Sequence, residues 1–179
     1  ALYSDGVKLV ISVDCGIRSP DETFYARSLG LDIIITDHHQ PADRDLPSAN
    51  AIINPKQVGD AYPDKDLAGV GVAYKIVQAL KDTSGVPWEG FQVDDLLDLV
   101  ALGTVADLAP LVGENRMLVR KGLQIIHETK RQGLFSLAAV SDLPLSRVTA
   151  TSIGFTLGPR LNAAGRLESA LAAFEQLTT

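Results

Sequence analysis

The sequence contains a single cysteine, Cys15, among its 179 residues, so no disulfide can form within the chain. A lone cysteine also suits the reducing environment of the cytoplasm. No apolar stretch approaches the roughly 20 residues that a helix needs to cross a bilayer. The start, ALYSDGVKLV, lacks an initiator methionine and the features of a signal peptide. We therefore expect a cytoplasmic protein, of which this chain is either a processed form or an internal piece.

Positive charge is scarce as well. The 16 Lys and Arg residues are outnumbered by 22 Asp and Glu residues, which gives a net charge of −6. An acidic chain does not attract nucleic acid through its overall charge. A role on nucleic acid would therefore need a local basic site, a bound metal ion or another domain. The hydrophobic content of 46% is enough for one packed domain or for part of a larger one.

The first third of the chain alternates between predicted strands and a helix. Residues 7–13 and 31–36 are short, apolar and rich in β-branched side chains, which predicts two buried strands. Between them a capping box that begins at Ser19 predicts a helix ending at Gly30. A third short strand is predicted over 49–53. Strand, helix and strand at this spacing indicate a parallel βαβ sheet.

The rest of the chain is predicted to be mainly helical after a polar loop at 57–66. The spacing of apolar residues predicts helices over about 72–80, 93–110, 115–130, 149–157 and 168–177. The predicted fold class is therefore α/β, with a parallel βαβ portion at 1–56 followed by a mainly helical part at 57–179.

Potential metal ligands follow the first two predicted strands. Asp14 comes directly after the first strand, and Asp37, His38 and His39 come after the second. Open parallel sheets bind ligands outside the carboxyl ends of their strands, and adjacent strands lie about 5 Å apart. Carboxylate and imidazole together suit Mn²⁺, Fe²⁺ or Zn²⁺, whereas the shortage of thiolates argues against a structural zinc cage. The alternative is that Asp14 caps a helix or turn and that both histidines are ordinary loop residues.

Two later segments hold further candidates. Asp107 follows the apolar run ALGTVA, where a carboxylate must be paired, bound to metal or exposed at a helix end. The segment GPRLNAAGR carries Arg160, Asn162 and Arg166 among small residues, and its arginines are suited to binding a phosphate. The alternative for this segment is a loop whose arginines pair with surface carboxylates.

Two other features have simpler interpretations. The acidic residues Asp94, Asp95 and Asp98 are expected to form the solvated first turn of the helix that begins near residue 93. The glycines of LAGVGVAYK superficially suggest a nucleotide-binding loop. The preceding strand and the full spacing are missing, so we expect them to serve close helix packing.

Together these segments resemble the DHH phosphoesterase superfamily and, within it, the RecJ-type exonucleases that digest single-stranded DNA from the 5′ end. The resemblance is carried, in chain order, by VISVDCGI, IIITDHHQP, AIINPKQ, LAGVGVAYKIVQAL, ALGTVADLAPL and GPRLNAAGR. It implies a hydrolase that cleaves phosphodiester bonds with two Mn²⁺ ions, or with Mg²⁺. It also implies single-stranded DNA as substrate and proteins of DNA repair and recombination as partners.

The resemblance further implies a role for each candidate. Asp14 matches a carboxylate that bridges two metal ions, and His38 and Asp107 match ligands of one of them. His39 matches the histidine that faces the scissile phosphate, and Asp37 would orient both histidines. The matching phosphate-contacting residues are Arg160, Asn162 and Arg166.

Two parts of the family pattern are missing from this sequence: an Asp-rich motif on an earlier strand, which completes the second metal site, and the DHH-associated domain after Thr179. Asp5 precedes the first strand and does not match that motif. We therefore expect an internal piece that holds one metal poorly and has little activity by itself. Three alternatives remain: an enzyme for short oligonucleotides or cyclic dinucleotides, a nucleic-acid-binding relative without catalysis, and a manganese pyrophosphatase.

Overall fold

The computed structural model describes residues 2–43, 45–167 and 170–178. The chain divides into two compact units, Ala1–Ile76 and Val77–Thr179. Helix α2, Gly69–Thr83, contains the boundary between them.

The described part of the first unit contains a parallel three-stranded sheet. Strand β1 covers Leu9–Val13, β2 covers Asp32–Thr36 and β3 covers Ala51–Ile53, in the spatial order β1-β2-β3. Helix α1, Pro20–Ser28, connects β1 to β2. Both strand pairs are parallel, so the predicted βαβ arrangement is confirmed.

Strand β1 is exposed on one face. Ile33 and Ile35 of β2 are 6% and 1% exposed, whereas Leu9, Ile11 and Val13 of β1 are 46%, 53% and 55% exposed. Successive side chains of a strand point to opposite faces, and the sheet packs against α1 on the face of Ile33 and Ile35. The apolar composition of β1 does not reveal how many faces are covered, and the prediction of a buried first strand was wrong.

Helix α1 has the predicted start and extent, but its N-terminus is not capped as predicted. Ser19 occupies the N-cap position, yet its side chain makes no capping hydrogen bond, so the predicted capping box is wrong. Thr23 instead donates its hydroxyl to the carbonyl of Ser19 at 2.8 Å. Pro20 occupies the first helical position. Its φ is already suited to a helix, and it has no backbone N–H group that would be left without a partner there. The helix is followed by Gly30 at φ +87°, as predicted for a helix stop.

The described part of the second unit contains helices and no strand. Its α-helices are α3 (Leu97–Ala106), α4 (Gly113–Glu128), α5 (Gln132–Ala139), α6 (Ala150–Ser152), α7 (Gly158–Leu167) and α8 (Ala170–Thr178). Two 3₁₀ turns, Val93–Leu96 and Leu145–Arg147, and a π-helical segment, Ile153–Leu157, complete the set. The predicted α/β class with a mainly helical second part is confirmed. None of the described helices is long and apolar enough to span a membrane.

Close contacts between helices shape the second unit. Ala101 and Val105 of α3 are buried in its apolar core. Gly122 of α4 lies so near the carbonyl of Leu97 that an added Cβ would collide with it. Helix α5 was not predicted, because its eight residues are few for a clear helical period. It is stabilised by tertiary contact with α8. Gly133 of α5 lies so near the carbonyl of Gln176 in α8 that an added Cβ would collide with it.

The segment GPRLNAAGR forms helix α7, so the alternative interpretation of this segment as a loop is wrong. The chain enters it from the π-helical segment without a break. Pro159 is tolerated because it lies in the first turn, and the alanines favour helix.

Asp98 is the acidic residue whose surroundings differ most from the prediction of a solvated first turn. Its side chain is buried at 1% exposure. Its Oδ2 atom accepts hydrogen bonds from Arg131 Nε and from the hydroxyl of Thr129, each at 3.0 Å. An ion pair thus joins the start of α3 to the segment before α5, and Asp98 is a structural residue of the second unit.

We predict that Arg131→Met lowers the free energy of unfolding by about 3 kcal/mol, because it leaves the buried Asp98 carboxylate without its arginine. Urea unfolding at pH 7 measures the loss. Lys65→Met is the control: Lys65 Nζ lies 3.5 Å from Asp60 Oδ1, but the lysine side chain is 47% exposed. Its loss should stay below about 1 kcal/mol, and equal losses in the two variants would contradict the distinction.

Candidate metal centre

Two strand ends bring the candidate residues of the first unit together. Val13 is opposite Thr36 in the parallel register of β1 and β2. The ladder continues one step beyond the strands, since Asp14 N donates to Thr36 O at 2.9 Å and Asp37 N donates to Ile53 O at 3.0 Å. The backbones of Asp14 and Asp37 are therefore fixed at the same edge of the sheet.

Asp14 has an unusual backbone conformation. Its φ is +62°, the left-handed region, which non-glycine residues rarely adopt and in which aspartate is among the better tolerated. The side chain is 50% exposed, and Oδ1 lies 3.0 Å from Nε2 of His38, whose side chain is only 10% exposed. The turn after β1 thus holds a carboxylate against a buried imidazole.

Asp37 is the hub of the site. Its side chain is 2% exposed. The Oδ1 atom accepts from His38 N at 2.8 Å, from His39 N at 3.1 Å and lies 2.7 Å from His39 Nδ1. The Oδ2 atom accepts from Ile17 N at 3.0 Å. One side chain therefore fixes the backbone after β2, the loop after β1 and the ring of His39.

The pKa of Asp37 follows from these contacts. Burial raises the pKa of Asp37. The hydrogen bonds from the Ile17 backbone, from the His39 ring and from the His39 and His38 backbones lower it by more than burial raises it. The net result is a pKa below the ordinary value of 3.8. Asp37 is therefore ionised at neutral pH, and since an ionised carboxylate can only accept, Nδ1 of His39 must carry a proton.

Asp14, His38 and His39 form a group that could hold a metal ion. Each offers one ligand atom, and these atoms all lie within 4.8 Å of one another. The two imidazole rings are 4.6 Å apart between centroids. A carboxylate oxygen and two imidazole nitrogens are donors that divalent transition metals accept.

Gly69 leaves room for the Asp14 side chain. A Cβ atom at Gly69 would collide with the Asp14 carboxylate, and one at Gly71 would collide with the side chain of Leu67. These glycines do allow close contacts, as predicted, but with Asp14 and Leu67 rather than with another helix, and sequence reasoning did not connect Gly69 with the site. Glycine is common at helix starts, so the sequence carried no specific signal for this contact.

Two supporting residues were also missed as parts of the site. Asn54, which follows β3 and is fully buried, donates from Nδ2 to the carbonyl of His39 at 2.9 Å. Arg18 donates from Nε to the carbonyl of Gln40 at 2.7 Å. Both contacts hold the loop that carries the histidines, and both depend on backbone carbonyls that a sequence pattern does not reveal.

The remaining predicted site residues lie in the second unit. Asp107 is the exposed C-cap of α3. Arg160 and Asn162 are exposed on α7, and Arg160 Nη1 donates to Thr156 O at 3.0 Å. The side chain of Arg166 lies outside the described residues. The roles assigned to these four residues stay predictions.

We predict that Asp37→Asn destabilises the metal-free protein by about 2 kcal/mol at pH 7, because an amide nitrogen would replace an acceptor oxygen that faces N–H groups. Since the folded-state pKa of Asp37 is lowered, the ionised carboxylate contributes fully to the free energy of unfolding above about pH 3.8. That contribution is lost as the pH falls below this value and through the folded-state pKa. Urea unfolding in EDTA from pH 7 to pH 3 should therefore show the stability difference shrinking at the acid end.

Asp32→Asn is the control for this experiment, since Asp32 is exposed and its carboxylate accepts one bond from Asn50 Nδ2. It should cost less than about 0.5 kcal/mol. A stability difference for Asp37→Asn that stays constant down to pH 3, or an equal loss for Asp32→Asn, would show that the Asp37 carboxylate is not the hub.

The chain is similar in sequence to known nucleases. It is 47% identical to the single-stranded-DNA-specific exonuclease RecJ of Bacillus subtilis (strain 168), over 92% of the chain and 20% of that protein. It is 44% identical to the single-stranded-DNA-specific exonuclease RecJ of Escherichia coli (strain K12), over 93% of the chain and 30% of that protein. The chain thus spans between a fifth and a third of the length of these relatives.

Solved structures agree with the sequence comparison. The crystal structure of an exonuclease RecJ bound to manganese matches 99% of this chain and 44% of its own, with a TM-score of 0.81 and 33% identity. RecJ in complex with Mn²⁺ from Thermus thermophilus matches 99% of this chain and 26% of its own, with a TM-score of 0.82 and 34% identity. Residues 3–104 match the DHH family, N-terminal domain, and the chain therefore belongs to the DHH family.

Proposed function

We propose that the protein containing this chain hydrolyses phosphodiester bonds of single-stranded DNA from the 5′ end, with the help of divalent metal ions. The observation that carries the proposal is the group of Asp14, His38 and His39, whose ligand atoms lie within 4.8 Å of one another. The relatives described above are single-stranded-DNA-specific exonucleases. Because they are several times longer than this chain, the substrate, the direction of digestion and the partners belong to the proposal.

The residues at the strand ends fit a divalent transition metal. Asp14 supplies carboxylate oxygen and His38 supplies imidazole nitrogen, a donor set that suits Mn²⁺. The family resemblance adds Asp107 as a further ligand. A bound ion would supply a Lewis acid for phosphate oxygens and would activate a water molecule. The related RecJ structures were determined with Mn²⁺ or Mg²⁺, so we propose Mn²⁺, with Mg²⁺ as the alternative.

The two histidines are proposed to have different roles, and their exposure supports the division. The side chain of His38 is 10% exposed and touches Asp14, which suits a metal ligand. The side chain of His39 is 53% exposed, and its Nδ1 atom lies against Asp37. Its Nε2 atom is then the ring nitrogen that faces a substrate phosphate. With Nδ1–H held by Asp37, the doubly protonated ring would donate a hydrogen bond from Nε2 and stabilise developing negative charge.

Helix α7 is proposed as a second contact to the DNA backbone. Positions 162 and 166 are four residues apart and share one side of the helix. Arg160, Asn162 and Arg166 together would offer amide and guanidinium donors, of which guanidinium groups match phosphates bidentately. A cytoplasmic location and partners in DNA repair and recombination complete the proposal.

The test uses the full-length protein that contains this chain, Mn²⁺, and an oligonucleotide labelled at its 3′ end and phosphorylated at its 5′ end. We expect the single strand to shorten from the 5′ end, and blunt duplex DNA and dinucleotides to react far more slowly. Asp14→Asn and His38→Ala should each lower the rate more than about a hundredfold, because they remove metal ligands. Gly69→Ala should lower it less, because it displaces Asp14 without replacing it.

Gly154→Ala is the matched control, since an added Cβ there meets only Val105 Cγ1 at 3.6 Å. It should keep the wild-type rate. Wild-type turnover by Asp14→Asn would contradict the metal assignment. A preference for dinucleotides would favour the oligonucleotide-cleaving alternative, and binding without cleavage by the wild type would favour a non-catalytic relative.

A further inference from the structure

The loop between β1 and α1 carries an arginine that neither the family resemblance nor the proposed catalytic group includes. Arg18 is exposed, and it lies four residues after Asp14 and two before the start of α1. We propose that Arg18 binds a phosphate of the single-stranded substrate beside the metal centre. This inference rests on the proposed function, because it names a substrate contact of the same site.

The first observation is the position of the guanidinium group. Arg18 Nε donates to the carbonyl of Gln40 at 2.7 Å, and Gln40 directly follows His39. The bond links the loop after β1 to the loop after β2. It fixes the guanidinium to the backbone of the residue that follows His39, the histidine proposed to face the scissile phosphate.

The second observation is a cavity of about 190 Å³ in the first unit. Its lining consists of Asp14, Asp37 and His39 together with the loop residues Cys15, Gly16, Ile17, Arg18 and Ser19. The potential metal ligands and the arginine therefore line the same cavity. A phosphate bound there would be within reach of both.

The third observation is the charge of the cavity. Arg18 is the one lining residue that is always cationic, whereas Asp14 and Asp37 are acidic. In a chain of net charge −6, a polyanionic substrate needs local positive charge at the point of contact. Arginine suits this task better than lysine, because its planar group can bind a phosphate bidentately while one nitrogen keeps a backbone contact.

Arg27 provides a matched control within the same unit. It is also exposed, and its Nη1 atom donates to the backbone carbonyl of Ser48 at 2.7 Å. It does not line the cavity. Arg27→Gln and Arg18→Gln each remove one positive charge and one arginine-to-carbonyl hydrogen bond. The charge removed by Arg18→Gln lines the cavity, whereas the charge removed by Arg27→Gln does not.

The test measures single-strand binding by the full-length protein with Ca²⁺ in place of Mn²⁺, under conditions in which no cleavage is detected, at several salt concentrations. Arg18→Gln should weaken binding about tenfold. It should also reduce the slope of log K against log salt by about 0.7, as expected for one lost phosphate contact on a single strand. Arg27→Gln should match the wild type in both quantities.

Cleavage kinetics in Mn²⁺ separate contact from positioning. Arg18→Gln should raise KM with little change in kcat, Arg18→Lys should recover part of the loss, and Mn²⁺ affinity should stay at the wild-type value. An unchanged salt slope, with either a lower kcat or weaker Mn²⁺ binding, would overturn the proposal, because Arg18 would then only hold the two loops.

If Arg18→Gln behaves like Arg27→Gln while the wild type digests single strands, the inference about Arg18 fails and the proposed function stands. If the wild type neither binds nor digests single strands, both fail.

Discussion

Hydrogen bonds from three backbone N–H groups and one imidazole converge on the carboxylate of Asp37 in the interior of the first unit. A buried carboxylate is costly unless its oxygens are hydrogen-bonded, and here both oxygens are. The same hydrogen bonds that keep Asp37 ionised also fix the backbone at Ile17, His38 and His39 and the ring of His39. The peptide groups of His38 and His39 cannot rotate without breaking them, and the loop at Ile17 is held to the same point.

The order of the site depends on residues that would not themselves bind metal. The sheet brings Asp14 and Asp37 to one edge because its hydrogen-bond ladder continues past both strand ends. Gly69 leaves space for the Asp14 carboxylate, and Asn54 and Arg18 hold the carbonyl groups of the histidine loop. Residues that orient ligands in this way often matter nearly as much as the ligands themselves. The left-handed backbone at Asp14 is a strained conformation that such surroundings can maintain.

The sequence was sufficient for those features that depend on local pattern. The periodicity of apolar residues located β2 and most helices, and the position of Asp14, His38 and His39 after strands predicted their convergence. Features that depend on distant neighbours were missed. Asp98 resembles any acidic residue in a first helical turn until Arg131, 33 positions later, is seen beside it. The exposed face of β1 and the contact between Gly69 and Asp14 likewise depend on which segments pack together, which composition does not encode.

The central claim is that the ionised Asp37 holds His39 with a proton on Nδ1. Long-range ¹H–¹⁵N correlation spectra of the histidine rings test this directly, and with three histidines in the chain the signals can be assigned by substitution. In metal-free protein at pH 7 the account predicts that Nδ1 of His39 is protonated. A spectrum in which His39 carries its proton on Nε2 alone, with Nδ1 unprotonated, would contradict it.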